Sequence, residues 1–360
     1  MQNATKQHRR FSIGLLLLSV LLVPGCVGVM GTRRFQESRE LIQPFESGRM
    51  EIESMNISPD GKFLAVGYSS SKSGGSERQQ PTLRVWSIEN ETPQIIWSTR
   101  IDDISTLKPE FSSDGKSLIS AESTGLNFLD LTKVHDDPNN SNHAIPLGSI
   151  QLLSKNGNFA ATMNKDREIS IIDVRNQSVF RTLPDEIDRV LAFSDSGNLI
   201  AAREKSSPTM SRNKETIAIW NISEKNVPAG SISKLCEFEI EHYATPELCQ
   251  FSPDEAMLAI VSKTGMIGLW GVRNGKLLSD LQHGEAITTF VFSPKERKLA
   301  VCTSGRSAKL YLWDVTKEKI MQKQQDRSTE GITAVAFAPE GDHIYTGDKN
   351  GNIKKWKTKK

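Results

Sequence analysis

The feature that most constrains this chain is a pattern that recurs seven times at intervals of 43 to 50 residues. Each copy contains an apolar run, a polar turn, a second apolar run, and a third run that ends in a bulky apolar residue. The position at the end of the third run is occupied by Trp86, Leu129, Ile172, Trp220, Trp270, Trp313 and Trp356. The polar turn begins at Ser58, Ser112, Ser154, Ser194, Ser252, Ser293 and Ala338. Short alternating runs bounded by turn residues are typical of antiparallel strands.

The length of the period indicates how the copies pack. One small sheet cannot bury both of its faces, whereas repeats of about 40–45 residues are typical of four-stranded blades arranged around an axis. The spacing therefore predicts an all-β, seven-bladed β-propeller over residues 40–360. With seven copies in register, the chain resembles the WD-repeat family of β-propellers from about Ile42 to Lys360.

The last copy has no fourth strand, since the sequence stops shortly after Trp356. Glu40–Phe45 precedes the first copy and belongs to none of the seven. We therefore expect this segment to supply the outer strand of the last blade and to close the ring. Pro44 is compatible with that role, because proline is tolerated on edge strands. Without this strand, backbone groups would remain unpaired along an open seam.

The N-terminal segment indicates export. A basic start is followed by the apolar stretch Phe11–Val23 and by Gly25-Cys26, which together resemble a bacterial lipoprotein signal. The resemblance implies a signal peptide over 1–25, a lipidated Cys26, a tether over 26–39, and a membrane-anchored lipoprotein of the cell envelope. Pro24 departs from the residues usual at that place. Ordinary secretion and an uncleaved anchor are the alternatives, since about 20 apolar residues can span a bilayer.

The charge balance gives no reason to expect nucleic acid as a partner. The formal net charge is +2, and without the three basic residues that precede Cys26 the chain has 42 basic and 43 acidic residues. A nucleic-acid-binding protein usually has a marked excess of basic residues.

The resemblance to WD-repeat proteins implies structural roles for several residues. The tryptophans of the third run would pack between neighbouring blades. His242 and His283 each lie nine residues before a first-strand phenylalanine, Phe251 and Phe292, which matches the family's histidine position. In the family, this histidine joins a buried hydrogen-bond network with the tryptophan and an aspartate. The aspartate position is only partly kept here, so we expect a partial network.

No motif for catalysis or cofactor binding is present. A nucleophile elbow, a phosphate-binding loop and paired zinc-binding cysteines are all lacking. The best metal candidate, His135-Asp136-Asp137 with His143, matches no established spacing, and we interpret it as a solvated loop. Cys236, Cys249 and Cys302 are interpreted as buried free thiols. We predict no metal, no cofactor and no enzymatic activity.

Protein binding is the function that the sequence favours. Long connections between second and third strands at Ser69–Gln80 and Glu204–Lys214 would lie on one face of the ring. The candidate partner-binding rim on that face is basic and comprises Lys72, Arg78, Lys205, Arg212, Lys214 and Arg306. We expect a scaffold, monomeric or part of a complex, that binds unknown protein partners through its loop faces. A propeller hydrolase or lactonase, and an envelope ligand or glycan sensor, are the alternatives.

A lipid anchor would also bring a second basic group near the membrane. The N-terminal strand that closes the ring is expected to start at the face opposite the rim. That arrangement would place near the lipid Arg33, Arg34, Lys354, Lys355, Lys357, Lys359 and Lys360. Ordinary solubilising charge is the alternative explanation for this group.

Overall fold

The computed structural model describes residues 36–42, 50–70, 81–90, 92–100, 108–122, 125–134, 141–145, 149–205, 214–223, 232–241, 248–262, 265–305, 308–325 and 331–358. Every regular element in these ranges is a β-strand. In chain order the strands are β1 Gln36–Ile42, β2 Met50–Ile57, β3 Phe63–Ser70, β4 Thr82–Ser87, β5 Gln94–Arg100, β6 Glu110–Phe111, β7 Ser117–Glu122, β8 Gly125–Asp130, β9 Ser141–Ile145, β10 Ser149–Leu153, β11 Phe159–Met163, β12 Ile169–Asp173, β13 Ser178–Thr182, β14 Ile187–Phe193, β15 Leu199–Glu204, β16 Lys214–Asn221, β17 Ser233–Glu241, β18 Cys249–Phe251, β19 Met257–Val261, β20 Met266–Gly271, β21 Leu277–Gln282, β22 Ile287–Phe292, β23 Lys298–Thr303, β24 Lys309–Asp314, β25 Lys319–Gln325, β26 Ile332–Phe337, β27 His343–Asp348 and β28 Ile353–Lys357.

The described strands form seven four-stranded antiparallel sheets, each of which is one blade. Blades 1 to 6 are built from consecutive strands: β2–β5, β6–β9, β10–β13, β14–β17, β18–β21 and β22–β25. Blade 7 has the order β1-β28-β27-β26. First strands of successive blades lie against one another around the axis. The predicted all-β, seven-bladed propeller is confirmed.

The closing strand β1 pairs antiparallel with β28, so that Gln36 lies opposite Lys357 and Ile42 opposite Ile353. The expected N-terminal outer strand of the last blade is therefore confirmed. Its position was wrong by four residues, because β1 begins at Gln36 and takes in the end of the segment assigned to the tether. The four residues before Glu40 are all polar, so the sequence showed no apolar alternation that would mark the start of the strand. Pro44 lies outside the described residues.

The polar turn after the first strand closes in the same way in several blades. The Ser58 hydroxyl donates to Asp60 at 2.6 Å and accepts the backbone N–H of Phe63 at 2.9 Å. Equivalent bonds form at Ser112, Ser154 and Ser252. Gly61 adopts a φ of 75°, which suits a residue without Cβ, whereas blade 5 places Glu255 there at 53°.

The hydrophobic core is divided among the interfaces between blades. The described residues contain seven buried clusters, one for each pair of neighbours, and the cluster between blades 7 and 1 completes the ring. Between blades 4 and 5, for example, Phe238 stacks on Trp270 with ring centroids 4.3 Å apart. Because each blade buries both faces against its neighbours, no blade has a core of its own.

Candidate functional site

The tryptophans of the third strand are buried in the clusters between blades. Their exposed fractions range from 1% at Trp356 to 9% at Trp270, with Trp86, Trp220 and Trp313 between these values. In all seven blades the equivalent residue lies opposite the second residue of the neighbouring second strand, as Leu299 lies opposite Trp313. These side chains therefore contribute apolar surface to the interfaces, and not to the outer faces of the ring.

The indole N–H groups of these tryptophans differ in their partners. In blade 7, Trp356 Nε1 donates to Thr346 Oγ1 at 2.8 Å. Within the described residues, Nε1 has no partner in Trp86, Trp220, Trp270 and Trp313. The second strand explains the difference. Thr346 lies on β27, two residues after the residue opposite Trp356. At the same place the other four blades have an apolar residue, which offers no side-chain acceptor: Val66, Ala202, Ile260 and Val301. Sequence reasoning missed Thr346, although its place ten residues before Trp356 was readable.

His283 is the described member of the two predicted histidines, since His242 lies outside the described residues. Its ring makes an edge-to-face contact with Tyr311, with centroids 4.1 Å apart. Neither ring nitrogen has a hydrogen-bond partner among the described residues. Burial lowers the pKa of His283 to about 4, so the ring is neutral at pH 7. The charged groups that also act on it are Glu285, Lys309 and Lys323.

Polar side chains on the innermost strands bridge neighbouring blades. The Thr288 hydroxyl donates to the carbonyl oxygen of Ile332, and the Thr333 hydroxyl to that of Ile52, both at 2.5 Å. Three amide side chains also bridge neighbouring blades. Asn56 donates to the carbonyl oxygen of Pro109, whereas Gln151 and Gln250 accept the backbone N–H groups of Val190 and Phe292. Their partners are backbone groups, so these bonds serve ring closure and not ligand binding.

A cavity of about 420 Å³ follows the axis of the ring and is lined by residues from all seven blades. One part of its wall is polar and carries Glu110, Lys155 and Asp195. Lys155 Nζ is paired with both oxygens of Asp195, at 3.0 and 3.2 Å. Other parts of the wall are apolar and include Leu152, Leu191, Val291 and Val335. The volume lies within the range of about 300–1,000 Å³ that is usual for small-ligand sites.

Two residues of the predicted basic rim are described, at the ends of one long connection in blade 4. Lys205 is exposed, whereas Lys214 Nζ is paired with Glu239 at 2.8 Å. Beside them, Arg203 is paired with Asp188 at 2.6 Å. The described part of the rim is thus mixed in charge and not simply basic. The remaining rim residues lie outside the described ranges: Lys72, Arg78, Arg212 and Arg306.

The opposite face bears the turns after the first strands, and ion pairs connect neighbouring blades there. Pairs between neighbouring blades join Asp254 to Arg297 at 2.9 Å and Lys295 to Glu340. The strand β1 begins at this face, because Gln36 lies opposite Lys357 at the end of β28. Lys354 is only 6% exposed and is therefore wrongly counted in the predicted lipid-facing cluster.

The remaining predictions concern the cysteines, possible metal ligands and the attachment to a membrane. Cys236, Cys249 and Cys302 are free thiols; Cys302 is buried and the other two are partly buried. No three potential metal ligands stand together in the described part of the chain. Within the same residues, no helix has the length and apolar character needed to cross a membrane. Cys26 and residues 135–137 lie outside the described ranges, and His143 falls within β9.

Seven four-stranded blades that share their cores around one axial cavity define a β-propeller. Comparison with known families adds a match of residues 321–357 to the WD domain, G-beta repeat. This match covers most of blade 7, the blade in which the indole–threonine bond is present. The protein is a seven-bladed β-propeller, and its blade 7 matches the WD repeat. Propellers of this type are commonly scaffolds for protein interactions and are usually not enzymes.

Proposed function

We propose that this protein is a non-catalytic scaffold that binds partner proteins through the face bearing its long connections. The observation that carries the proposal is the placement of those connections. The second-to-third-strand connections of blades 1 and 4, residues 71–81 and 205–213, are the longest of the seven. They leave the same face because strand direction alternates in every blade. Loops held on a rigid scaffold are a common site of recognition.

The shape of this face supports the proposal better than its charge does. Blades 1 and 4 lie roughly opposite each other in a ring of seven, so the strand ends from which these connections start lie on two sides of the axis. Lys214 and Arg203 are already paired with acids. We therefore name a protein surface as the partner, with Lys205 as the described contact residue, and do not require that surface to be acidic.

Site-specific photocrosslinking in intact cells tests the proposed face. A photoreactive amino acid at Lys205 should give protein adducts, whereas the same amino acid at Asp60, on the opposite face, should give few. Equal adducts from both positions, or none from Lys205, would contradict the proposal.

We further propose that Cys26 carries a lipid and anchors the protein in the cell envelope. The motif at Gly25-Cys26 and the basic and apolar segments before it support this. The strand β1 begins on the face opposite the long connections, so an anchor would leave those connections pointing away from the membrane. Burial of acyl chains contributes about 0.8 kcal/mol per CH₂ to such anchoring.

Metabolic labelling with an alkyne fatty acid tests the lipid anchor. The wild-type protein should be labelled and should fractionate with membranes. The Cys26→Ser variant should lose the label, while the matched Cys236→Ser variant should retain it. Labelling of Cys26→Ser at the wild-type level would contradict the assignment.

A further inference from the structure

The axial cavity contains an acidic side chain without a cationic partner. Glu110 lies in β6 on the polar part of the wall and accepts a hydrogen bond from the Asn56 amide. No lysine or arginine forms an ion pair with Glu110 among the described residues, and the nearby Lys155 is engaged by Asp195. A carboxylate in such a place is costly to ionise unless a cation pairs with it.

The surroundings of Glu110 limit what could pair with it. Apolar side chains from blades 3, 4, 6 and 7 line other parts of the same cavity, including Leu152, Leu191, Val291 and Val335. The other two carboxylates of the wall are engaged, Glu53 by the Ser69 hydroxyl and Asp195 by Lys155, so a bare metal ion would find only the Glu110 carboxylate without such a partner. A cation on an aliphatic stem would place its charge at Glu110 and its carbon atoms against the apolar wall.

We propose that the axial cavity binds a primary ammonium group carried on an aliphatic stem, with Glu110 as its counter-ion. Such a group occurs in small alkylamines and in lysine side chains of a peptide. An ammonium is a compact point charge with three donors, which suits a single carboxylate. The proposal is independent of the face proposed above for partner proteins, because the cavity is lined by the innermost strands.

Lys108 provides an internal competitor for this site. It lines the same cavity, is exposed, and precedes Glu110 by two residues. Its ammonium repels an entering cation and competes with it for the carboxylate. Removing this charge should therefore strengthen binding, whereas removing the Glu110 charge should weaken it.

The pH dependence of binding gives a readout that needs no variant. Burial raises the pKa of Glu110 to about 8, against the opposing effects of Lys155 and Lys108. Asp195 acts in the same direction as burial, and Cys249, also in the cavity wall, is kept neutral because burial raises its pKa to about 12. An ammonium binds the ionised carboxylate, so affinity should rise from pH 6 through pH 8 and level off only above about pH 9.

The first experiment measures binding of n-butylammonium to the wild-type protein by ligand-observed NMR, with n-butanol as the neutral probe. A capped pentapeptide with one central lysine forms the second arm. Binding of the amine with the expected pH dependence supports the proposal. Peptide binding about tenfold tighter than amine binding would assign the group to a peptide side chain. If neither cation binds, if butanol binds as well as the amine, or if affinity is constant from pH 6 to 8, the proposal is wrong.

The second experiment compares three variants, each checked for a cooperative thermal transition. Glu110→Gln should lower amine affinity about tenfold or more, since a charge-assisted hydrogen bond is removed. Lys108→Met should raise it about twofold to fivefold. Glu340→Gln removes an acid on the turn-bearing face outside the cavity and should leave affinity unchanged. Equal affinity in Glu110→Gln and wild type would overturn the proposal.

Discussion

Blades 6 and 7 have the same strand plan and a tryptophan at the same register position, but their polar interiors differ. In blade 7, Trp356 is bonded to Thr346, and Asp348 accepts the backbone N–H groups of Asn350 and Asn352. In blade 6, the Trp313 indole and both His283 nitrogens have no partner in the described residues. Both blades nevertheless bury their faces in clusters with their neighbours. The difference shows that shared apolar surface maintains a blade even where the internal hydrogen-bond network has been lost.

The two blades also differ in how the chain builds them. Blade 6 comes from one continuous segment, β22–β25, whereas blade 7 joins β1 to strands that follow it by more than 300 residues. Of these two blades, blade 7 thus combines the more complete polar network with the more distant strand pairing.

The largest expected effect comes from removing the distant strand. Deletion of residues 36–42 should lower the melting temperature by about 10 °C or more, because β28 loses the strand that pairs with one of its edges. Circular dichroism melts measure this. Deletion of residues 28–34, just before the strand, is the matched control and should leave the melting temperature unchanged. Equal melts for both deletions would show that β1 does not stabilise the ring.

The next effect isolates the indole bond of blade 7. Thr346→Val should reduce the free energy of unfolding by about 1–3 kcal/mol, because it leaves the buried Trp356 N–H without an acceptor. Denaturant titration gives the value. Thr346→Ser, which keeps the hydroxyl, should lose clearly less. A loss in Thr346→Ser as large as that in Thr346→Val would point to packing and not to the hydrogen bond.

A smaller effect should appear in blade 6 as a dependence on pH. The pKa of His283 is lowered to about 4 in the folded state, below the ordinary value of 6.5. Its contribution to stability is therefore present above pH 6.5 and is lost as the pH falls towards 4. His283→Gln should reduce the acid sensitivity by on the order of 1 kcal/mol in that window. Thr346→Val should keep the wild-type slope, and an unchanged slope in His283→Gln would contradict the assignment.

The smallest effect would make blade 6 resemble blade 7. Val301 stands at the place of Thr346, so Val301→Thr offers the Trp313 N–H an acceptor. The free energy of unfolding should rise by about 0.5–1.5 kcal/mol. If it falls, it should fall by less than the cost of burying a hydroxyl that has no hydrogen-bond partner. The double variant with Trp313→Phe provides the control, because the benefit of threonine should disappear when no indole N–H is present.

The sequence was sufficient to predict the ring because its signal is repeated. Seven copies of the turn at Ser58 and its equivalents, together with the third-strand position that recurs every 43 to 50 residues, predicted the number of blades and their closure by an N-terminal strand. The start of β1 was missed because the four residues before Glu40 are all polar and show no apolar alternation. The axial site around Glu110 could not be predicted, since one glutamate among 43 acidic residues has no local signature. Its place in the wall of the cavity, without an ion-pair partner among the described residues, arises only when first strands from different blades meet.

Pairing between β1 and β28 also has a consequence for biosynthesis. The strand β1 is synthesised more than 300 residues before its partner β28, so the ring cannot close until β28 has left the ribosome. A chain that terminates before β28 retains an unmatched edge, which is the kind of surface that chaperones and proteases detect. The seam therefore acts as a built-in check that synthesis has passed β28.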